Sequence, residues 1–188
     1  MFYVIRHGRT DWNEQYRLQE NTDIPLNDTG RQQAREAAEK YADVKIDICY
    51  CSPLVRAQET ARILLKGRDI PVITDERLRE VSFGIYEGTS HIFEHPESPV
   101  YNFFKDPAHY KAPETAESFE SLCGRARNFI DECVTPFVGQ GKDILVVGHG
   151  ALNSALIKEY HCMPLEDYWK VGIPNCGLID VEKLHEAK

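Results

Sequence analysis

Apolar positions along the chain follow two alternating rhythms. Phe2 to Ile5 is a short unbroken apolar run, which predicts a buried strand ending at Arg6. After a polar loop, Ala34, Ala37, Ala38 and Tyr41 recur at helical spacing and predict a helix over 28–42. Ile46 to Cys51 predicts a second strand. Ser52-Pro53 then supplies an N-cap and a first-turn proline for a helix with Leu54, Ala57, Ala61 and Leu64 on one face. Pro71 to Thr74 predicts a short third strand. The clearest helical pattern runs from Ala116 to Thr135, where Phe119, Leu122, Ala126, Phe129, Ile130 and Cys133 repeat in steps of three and four. Asp143 to Val147 predicts another buried strand, followed by a helix through Ala151, Ala155, Leu156 and Tyr160. Gly177 to Val181 predicts a last strand. Strands alternating with helices imply an α/β fold with a mainly parallel sheet.

One stretch breaks the rhythm. From Tyr86 to Glu117 the chain is rich in proline and aromatics and has no long periodic segment, so it reads as an excursion from the sheet. Insertions after strand ends commonly form the lid or wall of a binding site. There is no internal repeat and no low-complexity segment.

Composition narrows the class. With 188 residues, 42% hydrophobic and 28% charged, the chain reads as an ordinary globular protein with a single core. Its formal charge of −8 argues against nucleic-acid or anionic-membrane partners. No apolar run approaches the roughly 18 residues of a membrane span, and Phe2 to Ile5 is too short for a signal-peptide core. Cys49, Cys51, Cys123, Cys133, Cys162 and Cys176 contain no C-x-x-C pair. They read as reduced, mostly buried thiols, and the expected location is cytoplasmic. The Asn27-Asp28-Thr29 glycosylation pattern is then not used.

Candidate chemistry gathers where strands end. The first strand runs into Arg6-His7-Gly8-Arg9-Thr10, with Asn13 close behind; the second runs into Ser52-Pro53-Leu54-Val55-Arg56. The strand from Asp143 runs into Gly148-His149-Gly150. In a parallel sheet such ends meet at one edge, where α/β proteins place ligands. Arginine offers a planar fork of donors to phosphate oxygens, and a helix start adds backbone N–H groups. A neutral imidazole beside arginines is a competent nucleophile toward phosphorus.

These motifs, with Leu78-Arg79-Glu80 and the following Gly84 and Gly88, together resemble the histidine phosphatase superfamily, the phosphoglycerate mutase-like group, in its short phosphatase branch. Asp23-Ile24-Pro25-Leu26-Asn27 resembles that branch as well. The motifs stand in the family's order over residues 3 to 150. The resemblance implies one three-layer α/β/α domain over 1–188, with 86–117 as a lid-like excursion within it. It implies a metal-independent phosphomonoesterase with no cofactor, acting on a small phosphorylated metabolite such as a sugar phosphate or an alpha-ribazole phosphate-like compound. His7 would be the nucleophile, forming a phosphohistidine. Arg6, Asn13, Arg56 and His149 would hold the phosphoryl oxygens, helped by a main-chain N–H near Gly150. Glu80 would be the general acid and then the base that activates water, which predicts an acidic to neutral pH optimum. Glu76 and Glu87 are its nearest competitors for that role. Arg9, where the family often has glutamate, is expected at the rim.

Other patterns carry less. His91-Ile92-Phe93-Glu94-His95 matches an inverted zinc-protease motif, but Pro96 and Pro99 cut short the helix it requires. Gly139 to Lys142 lacks Walker spacing and precedes a strand. The alternative activities are a cofactor-dependent phosphoglycerate mutase and a phosphate-binding or regulatory protein with negligible turnover. Six acidic residues against two lysines between 86 and 117 make that stretch a poor neighbour for a bisphosphorylated ligand. Phe93, Tyr101, Phe103, Phe104 and Tyr110 either pack on a less charged leaving group or form a small core of their own. Gln19-Glu20-Asn21 stands where relatives usually have Gly-Arg or Thr-Gly. Gln19 and Glu20 are therefore candidate substrate contacts, and a Glu20 carboxylate facing the pocket would repel an acidic substrate. The sequence leaves the oligomeric state open; an exposed apolar edge near the C-terminal strand could support a homodimer.

Overall fold

The computed structural model describes residues 1–187. In chain order its main elements are β1 (Phe2–Arg6), α1 (Asp28–Lys40), β2 (Ile48–Cys51), α2 (Val55–Leu64), β3 (Val72–Thr74), α3 (Phe119–Phe129), β4 (Ile144–Gly148), α4 (Gly150–His161) and β5 (Leu178–Asp180). The strands form one sheet in the order β3-β2-β4-β1-β5. All neighbours run parallel except β5, which is antiparallel to β1.

The period of two along each strand divides the core into two halves. Phe2, Val4, Tyr50, Ile144 and Val146 face α3 and α4, where Leu122, Ala126, Phe129, Leu152 and Leu156 meet them. Ile5, Cys49, Cys51, Leu145 and Val147 face α1 and α2, whose contacts are mostly small: Ala34, Ala37, Ala57 and Ala61. Helices therefore cover both faces, as a parallel sheet requires, and β4 is buried at every position because both its sides are covered.

Two expectations about helices change. α2 does not start from a Ser52 cap. Its N-cap is Leu54, which makes no side-chain cap bond, and Asp23 Oδ1 instead accepts the Val55 N–H at 2.7 Å. The long helix expected over 116–135 begins at Phe119, where Ser118 caps it. It then widens into a π turn at Ile130–Val134 before a short helix, Thr135–Val138. Pro136 has no N–H to give to the preceding turn, and the Thr135 N–H reaches back to the Ile130 carbonyl instead.

Residues 86–117 carry only short helical turns, at Ile92–Glu94, Tyr101–Lys105 and Pro107–His109. Phe103 is fully buried and stacks on Phe119 of α3 at 4.5 Å between ring centroids. Tyr110 packs edge-on against both rings. The segment thus has its own aromatic anchor. The exposed apolar side chains at a sheet edge are Val72 and Ile73 of β3, whereas β5 at the opposite edge is half-buried. The apolar edge expected near the C-terminus therefore lies at the other end of the sheet. Among the described residues no helix is long and apolar enough to cross a membrane. The six cysteines are free thiols, with Cys49, Cys51 and Cys176 buried and Cys162 exposed.

The loop after β1 is held against the start of α1 by close backbone crossing. A Cβ on Gly30 would overlap the Arg9 backbone, and a Cβ on Gly8 would overlap the Gly30 carbonyl. Gly30→Ala is expected to lower unfolding stability by about 1–3 kcal/mol, as overpacking does. A urea midpoint unchanged by the substitution would show that this crossing has slack.

Candidate active site

The strand register builds the site. β1 and β4 are neighbours, with Arg6 opposite Gly148, so the residues that follow, His7 and His149, emerge side by side. The His7 N–H donates to the Gly148 carbonyl at 3.0 Å, and the two imidazole centroids are 5.2 Å apart. β2 lies on the other side of β4, and the Ser52 N–H donates to the Val147 carbonyl at 3.1 Å. Three parallel strands thus deliver their carboxyl ends to one place.

His7 is buried and its Nδ1 lies 2.7 Å from the Gly8 carbonyl. A carbonyl only accepts, so Nδ1 carries the proton and Nε2 keeps its lone pair. Burial, then the charges of Arg56 and Arg6, hold the His7 pKa well below 6.5. His149 is also fully buried, with its Nε2 2.7 Å from Ser52 Oγ. Burial, Arg56 and His7 lower its pKa in the same way. Both rings are neutral at pH 7.

Arg56 has one of the largest fully buried side chains. Its Nη2 donates to the Glu20 carbonyl at 2.7 Å and its Nη1 to the Thr22 carbonyl at 3.2 Å. Burial lowers its pKa to about 10, which leaves it a cation. Arg6 reaches the Ile173 carbonyl through Nη1 at 3.4 Å, and a Cβ on Gly150 would stand 3.5 Å from its guanidinium carbon. Among the described residues, the buried side-chain nitrogens with no hydrogen-bond partner are Arg6 Nε, Gln19 Nε2, Arg56 Nε and His149 Nδ1. All four belong to site residues read from the sequence.

Glu80 stands on an irregular stretch after the turn Glu76–Leu78. Its Oε1 accepts the Val81 and Leu152 N–H groups, both at 2.9 Å, and its Oε2 accepts the Ala151 N–H at 3.1 Å. The carboxylate therefore sits on the first turn of α4, where two otherwise orphaned donors point at it. The Asn153 N–H goes to the His149 carbonyl, and Gly150, the first residue of α4, lines the cavity. The competing carboxylates are engaged elsewhere: Glu76 pairs with Arg79 at 2.6 Å, and Glu87 accepts the Glu20 and Thr22 N–H groups.

A cavity of about 380 Å³ opens over these groups, lined by Arg6, His7, Asn13, Gln19, Glu80 and Gly150 among others. Arg56 and His149 lie behind this lining. Asn13 spends its Oδ1 on the Thr10 N–H at 3.2 Å, so its amide nitrogen is the group left for a ligand. Gln19 accepts from Thr10 Oγ1 at 2.7 Å, which likewise frees its Nε2.

Glu20 does not face the cavity. Its Oε2 accepts the Phe83 and Gly84 N–H groups, and it is 1% exposed. Burial raises its pKa. It shapes the wall from inside, and the expected repulsion of an acidic substrate does not arise. The acidic residues of 86–117 do not line the cavity either; that segment contributes Phe93 and Phe104. Arg9 and Arg17, both exposed, stand at the mouth instead. The aromatic alternatives divide by residue: Phe93 and Phe104 line the cavity, while Phe103 and Tyr110 belong to the core. His91 pairs with Glu94 at 3.1 Å and stacks on Tyr16, apart from His95, which leans toward Glu97.

Three neighbours were not read from the sequence. Asn175 donates to the His7 carbonyl at 2.8 Å, Ser52 meets His149, and Trp169 lines the cavity. Asn175 and Trp169 come from a C-terminal stretch with no motif around them. Ser52 carries a sequence signal of a different kind, the pattern of a helix cap before Pro53.

A family model described as the histidine phosphatase superfamily (branch 1) matches residues 2–187. A 2,3-bisphosphoglycerate-dependent phosphoglycerate mutase 2 of Gloeobacter violaceus is 30% identical, over 100% of this chain and 86% of its own. The structure of the alpha-ribazole phosphatase from Shigella flexneri superposes with a TM-score of 0.80 at 29% identity, covering 94% of this chain and 87% of that one. A phosphoserine phosphatase from Entamoeba histolytica, solved with 3-phosphoglyceric acid, gives a TM-score of 0.80 at 30% identity over the same shares.

The two buried imidazoles make stability depend on acid. Their folded pKa values lie below the unfolded 6.5, so below that pH the unfolded chain binds more protons and folding weakens. Each therefore weakens folding progressively as the pH falls through the unfolded value near 6.5. Urea unfolding on either side of that value is expected to show the loss, and His7→Asn with His149→Asn to remove most of it. An unchanged pH dependence in the double variant would place the acid sensitivity elsewhere.

Proposed function

We propose, for a chain that belongs to the histidine phosphatase superfamily, that it is a metal-independent phosphomonoesterase acting through a phosphohistidine on His7. The observation that carries the reading is the set of unpartnered buried nitrogens on Arg6, Gln19, Arg56 and His149 beside a neutral imidazole. Each unmade buried bond costs about 1–3 kcal/mol, and a phosphoryl group bound at His7 would supply acceptors to Arg6, Arg56 and His149, with Gln19 left for the rest of the substrate.

The chemistry follows from the geometry. The His7 Nε2 lone pair attacks phosphorus, the bond to the ester oxygen breaks, and the Glu80 carboxyl proton passes to the departing alkoxide. Charge growing on the phosphoryl oxygens is met by Arg6, Arg56, the Asn13 amide, the Gly150 N–H and a proton on His149 Nδ1. Ser52 Oγ–H donating to His149 Nε2 is the arrangement that keeps that proton on Nδ1. In the second step water attacks phosphorus, gives its proton to Glu80, and the P–N bond breaks to free inorganic phosphate and His7. The arginines supply the positive charge at each step. Residues 86–117 act as a wall for the leaving group through Phe93 and Phe104.

The leaving group is a small alcohol of a phosphorylated metabolite. Sugar and alpha-ribazole phosphates fit the aromatic side of the cavity. Arg9 and Arg17 at the mouth favour a second reading, in which the alcohol part carries a carboxylate or another anion. Six free cysteines agree with a reducing, cytoplasmic setting.

Hydrolysis of p-nitrophenyl phosphate is expected to survive EDTA and to fall by at least about 10³-fold in His7→Ala. An acid-labile, base-stable phosphoenzyme is expected from the intact chain alone. Turnover that needs a metal, or that persists in His7→Ala, would overturn the reading. No turnover, with 3-phosphoglycerate interconverted only when 2,3-bisphosphoglycerate is added, would make the chain a mutase. Comparing kcat/KM for phosphoserine with that for a neutral sugar phosphate, and repeating it in Arg9→Gln, tests the mouth. Selective loss on phosphoserine is expected if the second reading is right.

A further inference from the structure

Glu80 has no regular element to hold it. It lies between the turns Glu76–Leu78 and Gly84–Tyr86, yet an acid that protonates one oxygen must stay within a few tenths of an ångström of its place. We propose that the ion pair of Arg125 and Glu117 positions Glu80 for proton transfer.

Arg125, on α3, uses its whole fork for this stretch. Its Nη1 donates to the carbonyls of Arg77 at 2.6 Å and Arg79 at 2.7 Å, and its Nη2 donates to the carbonyl of Glu80 itself at 3.3 Å. The other side of the fork grips Glu117 through both carboxylate oxygens, Nε to Oε1 at 2.8 Å and Nη2 to Oε2 at 3.0 Å. Glu117 then ties the chain on the far side of the acid. Its Oε2 accepts the Ser82 N–H at 3.3 Å, and its own N–H donates to the Ser82 carbonyl at 2.7 Å. One ion pair therefore fastens the backbone both before and after Glu80. The carboxylate end is aimed separately, by the Ala151 and Leu152 N–H groups.

Neither partner touches the substrate cavity. Arg125 and Glu117 line a second, more open groove of about 470 Å³ on the other side of Glu80. Both side chains are largely buried, at 19% and 14% exposure, where losing one partner strands the other. Lysine cannot replace the guanidinium, because a point charge cannot span three carbonyls and a carboxylate in one plane. Arg125 and Glu117 are positioning residues that act through Glu80.

This inference rests on Glu80 being the proton donor, so the experiment carries its own control. A general acid matters when the leaving oxygen is strongly basic and little when it is not. We would measure kcat/KM for benzyl phosphate, which needs a proton, and for p-nitrophenyl phosphate, which does not. The proteins are the intact chain, Glu80→Gln, Arg125→Lys and Glu117→Gln. Glu80→Gln is expected to lose activity selectively on benzyl phosphate. Arg125→Lys and Glu117→Gln are expected to repeat that selectivity in weaker form, about 30-fold on benzyl phosphate and less than about 3-fold on p-nitrophenyl phosphate.

Equal losses on both esters, or no loss, in the two staple variants with a selective Glu80→Gln would overturn the positioning role alone. A Glu80→Gln variant that is not selective would remove Glu80 as the acid, and the positioning role with it. If Arg125→Lys does not fold, the near-isosteric Glu117→Gln decides the question.

Discussion

Four buried side-chain nitrogens without partners, gathered on Arg6, Gln19, Arg56 and His149, are the constraint to which the surrounding structure answers. A folded chain normally satisfies its buried donors, and each exception costs about 1–3 kcal/mol. Arg6 and Gln19 line the cavity beside His7, and Arg56 and His149 lie behind them. That cost is offset by rigid supports. Arg56 is tied to the carbonyls of Glu20 and Thr22, His149 to Ser52, and Gln19 to Thr10. The bonds behind these donors hold them in place and leave little freedom to turn elsewhere.

The same constraint accounts for the two histidines. An imidazolium in this place would add charge to a buried site that already holds two guanidinium groups, so burial and the arginines both favour the neutral ring. The Gly8 carbonyl then selects the tautomer of His7 and leaves the lone pair on Nε2. Basicity is set by burial and the arginine charges, and the tautomer by a single hydrogen bond. Glu80 shows a comparable division, its backbone held by Arg125 and Glu117 and its carboxylate by the start of α4.

Much of this was legible along the chain, and the exceptions share a cause. Ser52 before Pro53 has the form of a helix cap, and a cap is a local device. Its hydroxyl accepts only the Leu54 N–H at 3.3 Å, ahead of the helix, and meets His149, a residue that reaches it across the β2–β4 pairing. Glu20 looked like a mouth residue because its neighbours in sequence are. In the fold it turns inward to the N–H groups of Phe83 and Gly84. The acids of 86–117 suggested a negative wall, but Phe103 anchors that segment on Phe119 and presents Phe93 and Phe104 to the cavity. Net charge over a stretch says little about which side chains face inward.

What the sequence determined by itself was whatever depends on near neighbours: the strand and helix rhythm, the strand-end placement of His7, Arg56 and His149, and the residue types suited to phosphorus. Hydrophobic period and motif spacing are local quantities, and β1, β4 and α4 lie close to where those quantities put them. Tertiary structure decided the rest. It set Glu80 on the first turn of α4 and engaged Glu76 and Glu87 elsewhere, turned Glu20 away, brought Asn175 to the His7 carbonyl, and set Arg9 and Arg17 at the mouth. Those outcomes depend on which backbone donors remain unpaired after the sheet and helices have formed, and that is known only once distant segments have packed together.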